Sequence, residues 1–227
     1  MKATHEHEWE AAPGLPSALP PGERVVWQGR PSWLHLAVHA FHVRKIAVYF
    51  ALMLAVQALN LTAPDSGTGW KAMADVEWKP LLVASSLYAF ALGLLLGTAW
   101  LSASSTLYTL TNKRVVMRIG IVLTLTFNLP YKRIAGASIK PYATGLGDIA
   151  LALHSEDRIG WAHLWPHQRA WYITQPQPTL RCIPEADQVS QQLLALWRQE
   201  RAGQSLSLGD QPAGADTSAH AQPGILV

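Results

Sequence analysis

The chain has 227 residues, of which 49% are hydrophobic and only 15% charged, well under the roughly 25% charged usual in soluble domains. That balance excludes wholesale disorder and disfavours a freely soluble enzyme, while the lone Cys182 excludes an internal disulfide framework and a cysteine-built zinc site. The net charge of +3 is unevenly spread: residues 102–183 hold nine basic residues against three acids, and Glu6, Glu8 and Glu10 crowd the N-terminus.

Residues 1–20 read as a flexible acidic N-terminus, too acidic and proline-rich for a signal peptide. His5 and His7 fit a solvated terminus better than a metal site. Residues 21–42 read as a juxtamembrane segment with an interfacial helix, on which His35, His39 and His42 fall at i, i+4 and i+7. A histidine row facing lipid can ligate the magnesium of a chlorophyll-type pigment, which makes these three weak pigment-ligand candidates. The preferred reading is an interfacial helix with Trp33, Leu34, Leu36, Val38 and Phe41 against lipid or the neighbouring domain.

A first transmembrane helix is expected over 43–62, built on the uncharged run Ile46–Leu61, with Arg44 and Lys45 reaching back to headgroups. A periplasmic loop follows over 63–80. The second span, 81–101, has 21 residues without a charge, about 30 Å as a helix. Pro80 suits its first turn, and Trp78, Trp100 and Tyr108 fall near the two interfaces. The flanks 26–45 and 102–121 carry three basic residues each and the loop two, which places both termini in the cytoplasm.

Beyond the hairpin the hydrophobic period changes. Leu123, Leu125, Phe127 and Leu129 alternate with Thr124, Thr126 and Asn128, the period-two mark of a half-buried strand. The alternation returns at Ile149, Leu151 and Leu153 after a Gly145-Leu146-Gly147-Asp148 turn. Leu107–Thr111, Val115–Ile119, Arg158–His163 and Trp171–Thr174 read as further strands, with Asn112-Lys113 and Glu156-Asp157 as hairpin turns. A helix starts at Pro184, carries a stripe of Val189, Leu193, Leu196 and Trp197, and ends near Arg201. Residues 202–227 read as a disordered tail. The fold expected is a membrane α-helical hairpin of two transmembrane helices, plus a cytoplasmic all-β barrel or sandwich over 105–201 closed by a C-terminal amphipathic helix.

The stretch Tyr108-Thr-Leu-Thr-Asn-Lys-Arg-Val115, with Gly120 and Leu129-Pro-Tyr-Lys-Arg-Ile134, resembles bacterial pleckstrin-homology-like (PH-like) domains attached to membrane hairpins. Gly145-Leu-Gly-Asp148, Pro21-Gly-Glu-Arg24 and Trp27-Gln-Gly-Arg-Pro31 fit the same family. Within it, Phe41-His-Val-Arg-Lys45 and Leu164-Trp-Pro-His167 with Trp171 resemble the PuhB photosynthetic-complex assembly proteins, over roughly residues 19–198. The resemblance implies a PH-like barrel and a non-catalytic factor for assembling the photosynthetic reaction centre and its core antenna. It implies residence in the bacterial inner, intracytoplasmic photosynthetic membrane.

No HExxH, Walker loop, G-x-S-x-G or paired-carboxylate arrangement is visible, so the expectation is no enzyme, no metal and no cofactor. Gly145-Leu146-Gly147 reads as a turn rather than a phosphate cradle, and Ser102, Ser104 and Ser105 have no histidine–aspartate framework in view. The candidate surface for a partner or lipid is Lys113, Arg114, Arg118, Lys132 and Arg133, against the plainer reading of a solvated face that doubles as a positive-inside signal. Trp165, His167 and Arg169 join them as a loop-borne anchor. Ala91, Gly93 and Gly97 suit close lateral helix contacts. Expected partners are membrane lipids, reaction-centre subunits and a second copy of the chain, with no nucleic acid. The alternative function is a membrane-tethered PH-like module binding anionic lipid or a peptide of an unrelated client; an unrecognised membrane enzyme is a remote third.

Overall fold

Val25–Gly29 forms β1, a strand lying ahead of all the apolar helices in the chain. A computed structural model describes residues 14–15, 18–62, 77–142, 144–154 and 159–209, with side chains as far as residue 202. After β1 come α1 (Trp33–His39), α2 (Val43–Thr62) and α3 (Lys79–Ser105). Strands β2 (Leu107–Thr111), β3 (Arg114–Ile119) and β4 (Leu125–Pro130) follow, then a 3-10 turn at Tyr131–Arg133. Next are β5 (Ile134–Pro141), β6 (Gly147–Leu153), the short α4 (Trp161–Leu164), β7 (Thr179–Ile183) and α5 (Ala186–Gly209). All pairings are antiparallel, in one sheet ordered β1-β2-β3-β4 and another ordered β5-β6-β7.

One core joins the two sheets and α5. Tyr108, Leu110, Val115, Met117 and Leu129 of the first sheet meet Ile134, Ile149, Leu151 and Leu180 of the second. Val189 and Leu193 of α5 close the stack, and the Trp197 indole N–H donates to Ile134 O at 3.0 Å. An indole half in the core keeps its polar atom bonded in this way.

Helices α2 and α3 pack against each other and are long and apolar enough to cross a membrane. None of the residues in their most apolar windows is buried. A core helix of a soluble protein would hide such a surface. At 27 residues, α3 extends about 40 Å, and its last turn reaches into the domain, where Ser102 and Ala103 are buried. Because β2 starts right after α3, strand direction defines two ends of the domain. Gly29, Leu107 and Arg118 lie at the hairpin end, and the β2–β3 turn and Lys132 at the far end.

Several expectations are corrected. Of the expected strand Arg158–His163, Arg158 lies outside the described residues and the rest is not a strand: the chain turns into α4 from Trp161, with Gly160 as its N-cap. Trp171–Thr174 has no strand pairing and lies exposed, Trp171 with a positive φ of 69°. Of the alternating set, Leu129 is buried, but Leu125 is half exposed and Leu123 is 80% exposed beyond the strand end. The positive φ of Gly120 (121°) opens the wide turn there, which presents Ile121, Val122 (90% exposed) and Leu123 at the hairpin end. The domain also does not begin at 105, since β1 is its edge strand, and β5 and β7 complete the second sheet. The expected flexible N-terminus is interrupted by Leu15, which is buried. Helix α5 runs on to Gly209, past the start of the expected tail. The Glu156-Asp157 turn, residues 63–76 of the loop, His5, His7 and residues 210–227 lie outside the described residues.

Candidate functional site

At the far end, two of the segments that carry the family resemblance meet. The Asn112 side chain accepts from Arg24 N (2.8 Å) and donates to Gly22 O (2.9 Å). The Glu23 carboxylate accepts from Arg114 Nε and from the Thr111 hydroxyl, each at 2.8 Å. Thr111 Oγ1 in turn accepts from the backbone N–H of Lys113 and Arg114, which closes the two-residue turn. Gly22 takes a φ of +81° here, a conformation that costs glycine little. Pro21-Gly-Glu-Arg24 and Thr111-Asn-Lys-Arg114 are thus two halves of one fastener.

At the hairpin end, the core fastener is His167. Its Nδ1 lies 2.6 Å from the Tyr108 hydroxyl, and its Nε2 lies 3.0 Å from Thr106 Oγ1 and 3.2 Å from Ser102 Oγ. Thr106 already donates to Ser102 O (2.7 Å), so its oxygen is left to accept, which assigns the proton to Nε2. Tyr108 donates to Nδ1 and accepts from Arg181 N (3.2 Å). Burial holds the imidazole neutral by lowering its pKa to about 3, with the Arg181 charge adding to the effect. Ser102 does have a histidine neighbour, then, but the second ring nitrogen faces a tyrosine whose own pKa burial raises. Both side chains are sealed from solvent, so this is a bolt between α3 and the domain and not a nucleophile.

Beside the bolt lies a cleft of about 570 Å³, walled by the α1–α2 junction, β5, β6, β7 and the 165–171 loop. Lys45, Lys140, Arg169 and Arg181 line it, with Asp148 as the one acid among the described residues. Asp148 is fully engaged: Oδ1 accepts from Cys182 N (2.8 Å), and Oδ2 from the Tyr142 hydroxyl (2.7 Å) with Arg181 Nη1 at 3.5 Å. Arg181 makes only long bonds to Gln168 O (3.3 Å) and His39 O (3.5 Å). Its Nε and the Gln168 side-chain oxygen are buried with no hydrogen-bond partner. Lys140 sits over the Tyr142 ring, and Arg169 bonds Ser138 and Gln177 while stacking on Tyr172. By composition the cleft is net basic. Burial, and then Asp148, push the Cys182 thiol up to about 12, so it stays protonated and is a poor nucleophile.

The three histidines do not form a lipid-facing row. His35 and His39 share α1, but His42 sits in the break before α2 with a φ of 55°. His35 is held by Ser32 Oγ (3.0 Å) and Thr144 Oγ1 (3.3 Å), and His39 stacks on Tyr142 with ring centroids 4.0 Å apart. Burial lowers the His39 pKa, partly opposed by Asp148. Desolvation and the bond to Asp148 raise that of Tyr142. Among the described residues, no group of three His, Cys, Asp or Glu side chains is placed to hold a metal.

The basic candidates separate likewise. Lys113, Arg114, Lys132 and Arg133 lie at the far end and Arg118 at the hairpin end, so they form no single patch. Arg114 is tied to Glu23. His167 is buried and leaves the surface set, whereas Trp165 is 52% exposed, edge-on to Phe41, and borders the cleft with Arg169. Asp148 and Arg181 escaped sequence reasoning. The available signal was Arg181 itself, a charge inside the apolar run Leu180–Ile183, since a buried charge needs partners.

A family model described as the bacterial PH domain matches residues 49–197, from within α2 to the middle of α5. An uncharacterised 23.7 kDa protein from the puhA 5′ region of Rhodobacter capsulatus is 37% identical over 188 residues, 82% of this chain and 85% of that relative. No solved structure matches the chain.

Proposed function

The chain belongs to the bacterial PH-domain family, and from that premise we propose that it is a non-catalytic membrane factor for assembling the photosynthetic reaction centre and its core antenna. The observation that carries this reading is the relative from the puhA 5′ region, taken with the PuhB-like motifs around Phe41–Lys45 and Leu164–His167. The family membership alone supports only a PH-like module. The locus of the relative supports the link to photosynthesis.

In this reading α2 and α3 span the membrane, because their unburied apolar surface has no protein to cover it. Both termini and the sheets are cytoplasmic, following the basic flanks. Client helices pack laterally on α2 and α3, where Gly93 and Gly97 leave open space above the backbone. The domain holds cytoplasmic parts of the client. No step requires a nucleophile, a metal or a cofactor.

Deleting the gene tests the proposal. The expected outcome is a lowered reaction-centre absorbance with pigment synthesis continuing. Normal reaction-centre yield in the deletion strain overturns it and leaves the lipid- or peptide-binding module in its place. Topology is checked with a Cys182-free chain: single cysteines at Ser66 or Thr68 should label from the periplasm, and those at Gln204 or Ser207 should not.

A further inference from the structure

We propose that the basic cleft is a binding site for the phosphodiester headgroup of one anionic phospholipid, held at the mouth of the hairpin. The site rests on reading α2 and α3 as membrane spans. Its charge is the first argument. Lys45, Lys140, Arg169 and Arg181 line the cleft with one carboxylate among the described residues, and that carboxylate is already bonded by Cys182 N, Tyr142 and Arg181. Among the described residues no carboxylate pairs with Lys45, Lys140 or Arg169. Like charges gathered in a partly dry cleft repel one another, and an anion relieves that cost.

Two unanswered polar atoms are the second argument. Buried polar groups are nearly always bonded, yet Arg181 Nε and Gln168 Oε1 have no partner, and both residues are more than nine-tenths buried and line the cleft. Turned toward the cleft that their residues line, the first would donate to a phosphate oxygen and the second would accept from a headgroup hydroxyl. Size and place are the third. About 570 Å³ accommodates a headgroup and not a folded partner. Lys45 stands in the first turn of α2, at the depth where a span meets phosphates. Trp165 and the 93%-exposed Trp171 line the same cleft, and tryptophan favours that interface. The exposed Ile121-Val122-Leu123 tip lies at the same end of the domain.

The test uses the full chain in mild detergent, titrated with short-chain phosphatidylglycerol and read by native mass spectrometry. One lipid should bind, in preference to phosphatidylcholine of the same chain length. Replacing Lys140→Gln and Arg169→Gln together should weaken it by about fivefold per charge removed. The same charge change at the far end, Lys113→Gln with Lys132→Gln, should leave affinity within about twofold. An equal loss from the far-end pair, or equal binding of phosphatidylcholine, overturns the site. Displacement by inorganic phosphate at the same concentration assigns the cleft to free phosphate, and displacement by an acidic peptide assigns it to a protein partner; either overturns the lipid. Flotation after reconstitution into liposomes separates the two readings: a chain that does not float removes the spans, and one that floats but shows no headgroup preference in the titration removes only the cleft.

Discussion

The two ends of the domain use similar residues to opposite effect. At the far end, Glu23, Thr111, Asn112 and Arg114 satisfy one another within two short segments, leaving Lys113 and Lys132 to solvent. At the hairpin end, groups distant in sequence converge, and they divide into a satisfied set and an unsatisfied one. His167 has a partner on each ring nitrogen and locks α3 to the sheets. A few ångströms of chain away, Arg181 and Gln168 keep atoms unanswered. A completed polar network fastens the fold, whereas an incomplete one leaves a donor and an acceptor unmet.

The largest expected effect comes from the leucine pair that shares one alternation. Leu129→Asp buries an unpaired carboxylate and should cost about 4 kcal/mol or more. Leu123→Asp, on the exposed tip, should change stability by about 0.5 kcal/mol or less. Thermal unfolding of the full chain in detergent checks both. Equal effects would erase the distinction between core and tip.

Next is the bolt. His167→Ala removes the acceptor of the buried Tyr108 hydroxyl and the donor to Thr106 Oγ1, and should cost about 2–3 kcal/mol. Its pH signature sharpens the point. In the unfolded chain this histidine titrates near 6.5, whereas burial holds it at about 3 in the fold. Between those values only the unfolded state takes the proton, so this stability is fully present above about pH 6.5 and is lost as pH falls toward about 3. Melting curves at pH 7.5, 6 and 5 should show a downward slope in the wild type that His167→Gln flattens.

The far end should respond more weakly. Arg114→Ala removes one partner of the buried Glu23 carboxylate, but Thr111 still bonds it, so about 1 kcal/mol is expected in the same melting assay. Lys132→Gln, on an exposed turn, should change stability by less than about 0.5 kcal/mol. A cost for Lys132→Gln as large as that for Arg114→Ala would give the far-end lysine a structural role that its exposure denies.

What the sequence made legible follows from how local each signal is. The two apolar helices, the β2–β3 hairpin and the α5 stripe are written in consecutive residues, and their periods suffice to read them. Strand β1 is a short edge strand carrying a register shift, and β5 carries Gly136 and small residues that blur its alternation. Strand β7 is buried throughout, so Thr179–Ile183 shows no two-residue period at all. Trp171–Thr174 has the composition of a strand but lies exposed, with Trp171 at the rim of the cleft, where composition alone misled. The cleft itself was invisible for a related reason: Lys45, Asp148 and Arg181 are brought together only by the packing of α1 against β7 and by the α1–α2 junction. His39 likewise meets Tyr142 only through that packing, whereas helical spacing had put it in a row with His35 and His42.

The central claim is that the hairpin and the domain end attached to it act on reaction-centre subunits within the membrane. Co-purification of the tagged full chain from detergent-solubilised photosynthetic membranes tests this most directly. The account predicts that reaction-centre subunits are enriched over a tagged, unrelated two-span protein. It predicts too that Lys113→Gln with Lys132→Gln leaves the enrichment intact while His167→Ala, which unlocks the domain from α3, reduces it. Reaction-centre subunits recovered no better than with the unrelated protein, from membranes assembling reaction centres normally, would contradict the account.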